Sequence, residues 1–281
     1  MMGLVMAGSR STGNTGECYT QYLAAMERID PIPASWLFTY LGCYPNWRNE
    51  PRTEVRKIVA SHSPETISEC DSRHCSTTIA LLSSIPLATW ENRTPVLDML
   101  IHETLRIAQP HVAMRQNIGP EMYIDGKTIP TGSLVVYPSA DVHLDPVLYP
   151  DPWKFDPARP KPTGNLTYLG WGGGAYFFCF AKYLGLVRRS GFDIVPLPFF
   201  WLGVWAGRTT CLGSRLARLE TKLLAALMLV DFEFETVDAS GRVANPPPRP
   251  NWNDHLTCQP VLGRFFLKYK RLDSSGEPSG H

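Results

Sequence analysis

A mainly α fold with small β-sheets is predicted by three features of this 281-residue chain. Between Thr94 and Pro110, Val96, Leu97, Leu100, Ile101 and Leu105 recur at helical spacing, behind a threonine suited to an N-cap and a proline suited to the first helical position. From about Leu212, the residues Leu216, Leu219, Leu223 and Leu227 run down one face of a second long helix. The β content is confined to short pieces, the clearest being MYIDGKTI, where Asp125-Gly126 is a strong hairpin signal.

In chain order, Met1 to Thr15 is small and apolar and reads as a helix without a cap. Gly16 to Ala34 intervenes and ends on Pro31 and Pro33, which predict a helix stop. SWLFTYLGCYPNWRNEPRTEVRKIV then runs from apolar to charged, with Pro45 and Pro51 marking turns, and Ala60 to Cys75 is polar and reads as a loop. The Thr94 helix and the hairpin follow, then a strand over Leu134 to Tyr137. His143 to Pro162, dense in proline and aromatics, is irregular but anchored. After the Leu212 helix, FEFETVDASGRV and RFFLKYKRL read as strands, and Asp273 to His281 as a disordered tail.

The composition, 44% apolar and 19% charged with a net charge of +1, is that of a globular chain and leaves no basic footprint for nucleic acid. Seven cysteines, an odd and scattered set, point to free thiols in a reducing compartment. No stretch has the eighteen or more apolar residues of a spanning helix, and the start lacks the basic segment of a secretory signal.

Two constellations carry chemistry. Cys211 precedes Leu212-Gly213 and a long helix, so the N-terminal partial charge favours its thiolate, and Arg208 adds positive charge nearby. Gly207 and Gly213 remove side chains on both sides, which lets a flat group approach the backbone. Those are the needs of a thiolate ligand to haem iron. A buried cysteine capping a core helix meets the same spacing, and the spacing alone leaves both open. In DMLIHETLRIAQP, Glu103 and Arg106 stand three apart on one helix face, and Arg159 follows in KFDPARP. A buried carboxylate with two guanidinium partners would form a lock that is costly to break. Cys70, His74 and Cys75 lack a fourth ligand at a spacing suited to zinc. His111 and His143 read as hydrogen-bonded structural histidines.

Taken together, ETLR, FDPARP and a glycine-rich loop ending RTTCLG before a helix resemble the cytochrome P450 family of haem-thiolate monooxygenases. The resemblance implies a partial fold of that family, from its central-helix region to the C-terminus, over residues 1–272. It implies Glu103, Arg106 and Arg159 as a core salt-bridge triad and Cys211 as the proximal ligand of haem b. Arg115 and Arg208 would hold haem propionates, and Trp171, Gly172, Gly207 and Gly213 would build the cysteine loop. MAGSRSTG resembles the family's central helix, with a dioxygen groove at Ala7-Gly8 and Ser11 or Thr12 as the alcohol of the proton relay; Arg10 stands where the family commonly has an acid. The implied reaction inserts one atom of O2 into a small, apolar organic substrate, with electrons from NADPH through a flavin reductase, at the cytosolic face of the endoplasmic reticulum. Without an anchor segment the chain as written would be cytoplasmic. A truncated form that cannot hold haem, or a peroxide-using haem-thiolate enzyme, is the alternative.

Two segments read as insertions into that pattern, residues 16–34 and residues 173–205. Deleting the second joins Trp171-Gly172 to Ala206-Gly207 and yields W-G-A-G-R-T-T-C-L-G, a nearly regular family loop. Cys179 within it is one residue out of register and has Ala175 where the arginine belongs.

Overall fold

The computed structural model describes residues 31–62, 74–109, 112–164, 167–171, 213–254 and 258–272. Helices α1 (Pro31–Cys43), α2 (Asn46–His62), α3 (His74–Ser84), α4 (Leu87–Asn92) and α5 (Pro95–Ile107) come first. Strands β1 (Val112–Gln116), β2 (Met122–Ile124), β3 (Lys127–Ile129) and β4 (Leu134–Pro138) follow, then the short α6 (Ser139–His143). After them come the long α7 (Ser214–Asp231), β5 (Phe232–Val237) and β6 (Phe266–Arg271). The strands form three two-stranded antiparallel sheets, β1 with β4, β2 with β3 and β5 with β6.

Helix α1 is buried on every side from Ala34 to Leu41, as a helix apolar all round must be. It lies at the centre, against α5, α7 and β5. Its indole Trp36 Nε1 donates to the Cys258 carbonyl oxygen at 3.0 Å, and Gly42 lets it approach β5 so closely that a Cβ there would lie 2.2 Å from Thr236 Oγ1. The helix begins at Pro31, so Pro31 and Pro33 open it rather than stop it. A proline in the first turn loses only an N–H that has no partner in the helix.

Pro51 corrects a second expectation, because it lies inside α2 and not in a turn. The helix gives up one rung of its hydrogen-bond ladder there and buries the ring, with Val55 and Ile58 on the same face. Both ends of the loop expected over Ala60 to Cys75 are helical, since α2 runs on to His62 and α3 begins at His74, and residues 63–73 lie outside the described residues. Thr94 occupies the position before α5, but its hydroxyl turns back and donates to the Trp90 carbonyl oxygen at 2.7 Å. The cap comes from α2: Glu54 Oε1 and Oε2 accept the Val96 and Leu97 amides at 2.9 and 3.1 Å.

Helix α7 buries Leu224 to Leu229 with Thr221 and Lys222, whereas Leu216 of the expected stripe is exposed. Its C-terminal end is closed by Arg52 of α2, whose Nε donates to Leu229 O at 2.8 Å and whose Nη2 donates to Phe232 O at 2.9 Å. The hairpin turn is as expected, with Asp125 and Gly126 at φ 48° and 72°, the two positive values a tight two-residue turn needs. Helices α3 and α4 carried no capping signal strong enough to stand out in the sequence, and Met1 to Thr15 and Asp273 to His281 lie outside the described residues.

Candidate functional site

The expected charge cluster is assembled. Arg106, with no exposed surface, grips Glu103 through two parallel bonds, Nε to Oε2 at 2.9 Å and Nη2 to Oε1 at 2.8 Å. Its remaining nitrogen, Nη1, donates to the His143 carbonyl oxygen at 2.8 Å, and the Tyr149 ring lies 4.9 Å from the guanidinium carbon. The Asp156 amide also donates to Glu103 Oε1, at 3.1 Å.

Arg159 is the looser arm. Its Nε stands 3.5 Å from Glu103 Oε1, while its terminal nitrogens donate to the carbonyl oxygens of Pro150, Asp151 and Lys154. It therefore fastens the irregular 150–154 segment more than it neutralises the carboxylate.

The segment that leads to the cysteine loop is held residue by residue against this cluster. The Tyr149 hydroxyl donates to Thr167 O at 2.7 Å. Tyr168 donates to His102 O at 3.2 Å and its ring stacks on His102, with centroids 3.7 Å apart. The Leu169 amide donates to His143 Nε2 at 2.8 Å. Gly170 permits the fold-back, since a Cβ there would meet the Tyr168 hydroxyl at 2.0 Å. Burial, then the Arg106 guanidinium, holds the His143 imidazole at about 3 against an ordinary 6.5. Burial, followed by the charges of Lys161, Arg106 and Arg218, lowers His102 to about 4. Burial likewise pushes the Tyr168 phenol upward.

Trp171 ends that segment half-buried, with the Arg218 guanidinium carbon 5.8 Å from the centre of its ring. Arg218 lies in the first half of α7, so Trp171 packs against the helix that follows Gly213. Gly213, at the N-cap position, has no side chain to cap that helix, and the first turn of α7 holds no acidic residue of its own.

A family model described as cytochrome P450 matches residues 32–261. The chain belongs to the cytochrome P450 family. Among curated relatives, it is 24% identical over 209 residues to "Cytochrome P450 monooxygenase AacuE" of Aspergillus aculeatus, covering 73% of this chain and 35% of that protein. It is 30% identical over 163 residues to "Putative cytochrome P450 120" of Synechocystis sp., covering 57% of this chain and 31% of the relative. It is 24% identical over 255 residues to "11-oxo-beta-amyrin 30-oxidase" of Medicago truncatula, covering 90% of this chain and 38% of the relative. The chain thus spans between about a third and two fifths of the length of these cytochrome P450 relatives.

The family implies haem, and the described flank of the loop fits it. The first turns of α7 carry Arg215, paired with Glu91, and Arg218 against Trp171, and a helix start suits a thiolate ligand and an anionic ring. Of the residues read from sequence, Glu103, Arg106 and Arg159 come together, Trp171 stands against Arg218, and Gly213 immediately precedes α7. Arg115 is placed on β1, paired in register with Val135 of β4. Gly8, Ser11, Thr12, Gly172, Gly207, Arg208 and Cys211 lie outside the described residues, as does His111. Among the described residues, no helix is long and apolar enough to cross a membrane.

His143 is the hydrogen-bonded structural histidine expected from the sequence, whereas its place in this site, and those of Tyr149 and Tyr168, were not expected. Their signal was faint: one histidine in a proline-rich segment, and aromatics whose hydroxyls find partners only in the folded chain.

Proposed function

We propose that this chain is a haem-thiolate monooxygenase segment in which Cys211 is the iron ligand. The observation that supports the reading is the contact of Trp171 with Arg218 of α7, the helix that begins three residues after Cys211 in the sequence. Membership of the cytochrome P450 family supports it.

Arg115 and Arg208 would hold the propionates of haem b, and Gly172, Gly207 and Gly213 would let the ring lie against the backbone. When bound, haem supplies the activation of O2 for insertion of one oxygen atom into a small apolar substrate. This chain's own residues keep the loop in place: Arg106 and Glu103 fix the main chain at His143, and Tyr149, His102 and His143 fix residues 167–169 ahead of Trp171. The region of Gly8, Ser11 and Thr12 would pass protons to the oxygen site. Electrons would come from NADPH through a flavin reductase, at the cytosolic face of the endoplasmic reticulum. Arg10, standing in place of an acid, favours a second reading in which peroxide replaces O2 and reductase; turnover with peroxide alone separates the two.

We further propose that residues 173–205, and residues from 16 up to the start of α1 at Pro31, are translated non-coding sequence. Excision of residues 173–205 restores a family pattern, whereas α1 runs unbroken from Pro31 through Ala34 into Ser35, so the first segment is proposed to end before Pro31 and not at Ala34 as read from the sequence. Transcript sequencing across both junctions tests this, and peptides from both segments in the natural protein would sink it.

The test of function is the absorption spectrum of the reduced chain, supplied with haem and carbon monoxide. A thiolate-type Soret band is expected, lost in Cys211→Ser and kept in Cys179→Ser. No band with haem supplied would show a segment that cannot hold the group, and loss in the Cys179 variant alone would reassign the ligand.

A further inference from the structure

His143 has features that packing does not require. Its side chain is wholly buried, with 0% of the residue exposed. One ring nitrogen, Nε2, lies 2.8 Å from the Leu169 amide nitrogen, itself in a residue only 1% exposed. The other, Nδ1, has no hydrogen-bond partner among the described residues. A main-chain N–H can only donate, so Nε2 must offer its lone pair and the proton must sit on Nδ1. The ring is therefore neutral, in one tautomer, and its Nδ1–H has no well-formed hydrogen bond, facing only the main-chain carbonyl of Arg106, which makes it a poorly satisfied buried donor. A phenylalanine would fill the same space and stack on Tyr168 as this ring does, at 5.3 Å and 24°, without that cost. What a phenylalanine lacks is an acceptor for the Leu169 amide.

That acceptor sits where two held segments join. The carbonyl oxygen of His143 is fixed by Arg106, so the ring hangs from the charge cluster. Leu169 is two residues before Trp171, which stands against Arg218 of α7. The chain Glu103, Arg106, His143, Leu169 thus runs from the buried ion pair to the entrance of the cysteine loop, through bonds of 2.8 to 2.9 Å.

We propose that His143 is a positioning residue for the cysteine loop: as the Nδ1–H tautomer, it accepts the Leu169 amide through Nε2 and fixes the peptide plane that leads into Trp171. The consequence for the thiolate rests on the haem-thiolate reading of Cys211, whereas the clamp itself does not.

The pair of variants His143→Phe and His143→Gln tests it. Phenylalanine keeps the ring and removes the acceptor; glutamine removes the ring but brings a carbonyl oxygen to the place of Nε2. Amide hydrogen exchange at Leu169 to Trp171 is expected to quicken about tenfold or more in His143→Phe and to stay within about threefold of the parent in His143→Gln. With haem bound, the share of the carbon monoxide complex that keeps the thiolate-type band is expected to fall in His143→Phe and to recover in His143→Gln. Equal exchange rates in the parent and His143→Phe would overturn the clamp, as would glutamine behaving worse than phenylalanine. If the parent lacks the thiolate-type band yet its exchange follows the expected pattern, the haem-thiolate reading fails and the clamp stands. Should His143→Phe not fold, nitrogen-15 resonances of the parent's imidazoles decide: an unprotonated Nε2 upholds the proposal, and a protonated Nε2 overturns it.

Discussion

The ammonium of Lys222 lies 2.8 Å from Asp98 Oδ1 and 2.8 Å from the Trp90 carbonyl oxygen, with only 2% of the lysine side chain exposed. This contact pins α7 to α5 and to α4. The partners are unequally buried, because the Asp98 side chain keeps 37% of its surface. Removing the acid leaves a buried cation, whereas removing the lysine leaves a carboxylate that water can reach. Asp98→Ala is therefore expected to cost about 2–4 kcal/mol and Lys222→Met less, under about 2 kcal/mol. Urea midpoints of the two variants check the order, and the reverse order would refute the argument.

Glu54 closes the N-terminal end of the helix that carries Glu103 and Arg106, using both carboxylate oxygens. Glu54→Ala should lose about 1–2 kcal/mol, within the range of a lost N-cap, and Glu54→Gln less, since one acceptor oxygen remains. Thermal melts of the pair measure this.

The two arginines of the charge cluster are not equivalent. Arg106→Lys cannot keep the two-pronged grip on Glu103 and the bond to His143 O together, so about 3–5 kcal/mol is expected to go. Arg159→Lys should cost roughly half of that or less, because its bond to Glu103 is long and it mainly serves carbonyls at the surface. Limited proteolysis of the 150–154 segment should quicken in Arg159→Lys before the global midpoint moves.

The buried imidazole of His143 gives stability a pH dependence of defined sign. Its folded-state value of about 3 lies below the ordinary 6.5, so between those values the unfolded chain holds a proton that the fold excludes. Stability falls as pH drops through that window, by at most about 1.4 kcal/mol per pH unit from this group. His102, lowered to about 4, acts in the same direction. Between pH 6 and 4.5, His143→Gln should show a shallower slope than the parent; parallel denaturation profiles would contradict the burial argument.

Deleting residues 173–205 joins Gly172 to Ala206 and leaves every contact described above in place. The urea midpoint is expected to change by less than about 1 kcal/mol, since shortening a loop alters its closure entropy only slowly. Haem retention, read from the Soret band, is expected to rise.

Much of this molecule is written in local patterns. The period of the Thr94 helix, the Asp125-Gly126 turn and the i, i+3 spacing of Glu103 and Arg106 each depend on neighbours a few residues away, and each is found in the structure. Where local rules misled, a distant residue had intervened. Thr94 is a good cap by type, but Glu54, forty-two residues earlier in sequence, reaches the Val96 amide, and the Thr94 hydroxyl goes to Trp90 instead. Pro51 signals a break, but its ring is buried in a helix held by packing.

The sequence alone determined which residues hold charge, which faces are apolar and where the chain turns, because those follow from side-chain chemistry and short-range geometry. The tertiary structure alone decided that Arg106 reaches the main chain of His143, that His143 turns Nε2 to Leu169, and that Trp171 returns to Arg218. These pairs are separated by 26 to 47 residues of chain. Only burial against the packed helices fixes which buried polar atom each must find, because an unpaired one is costly once water is gone.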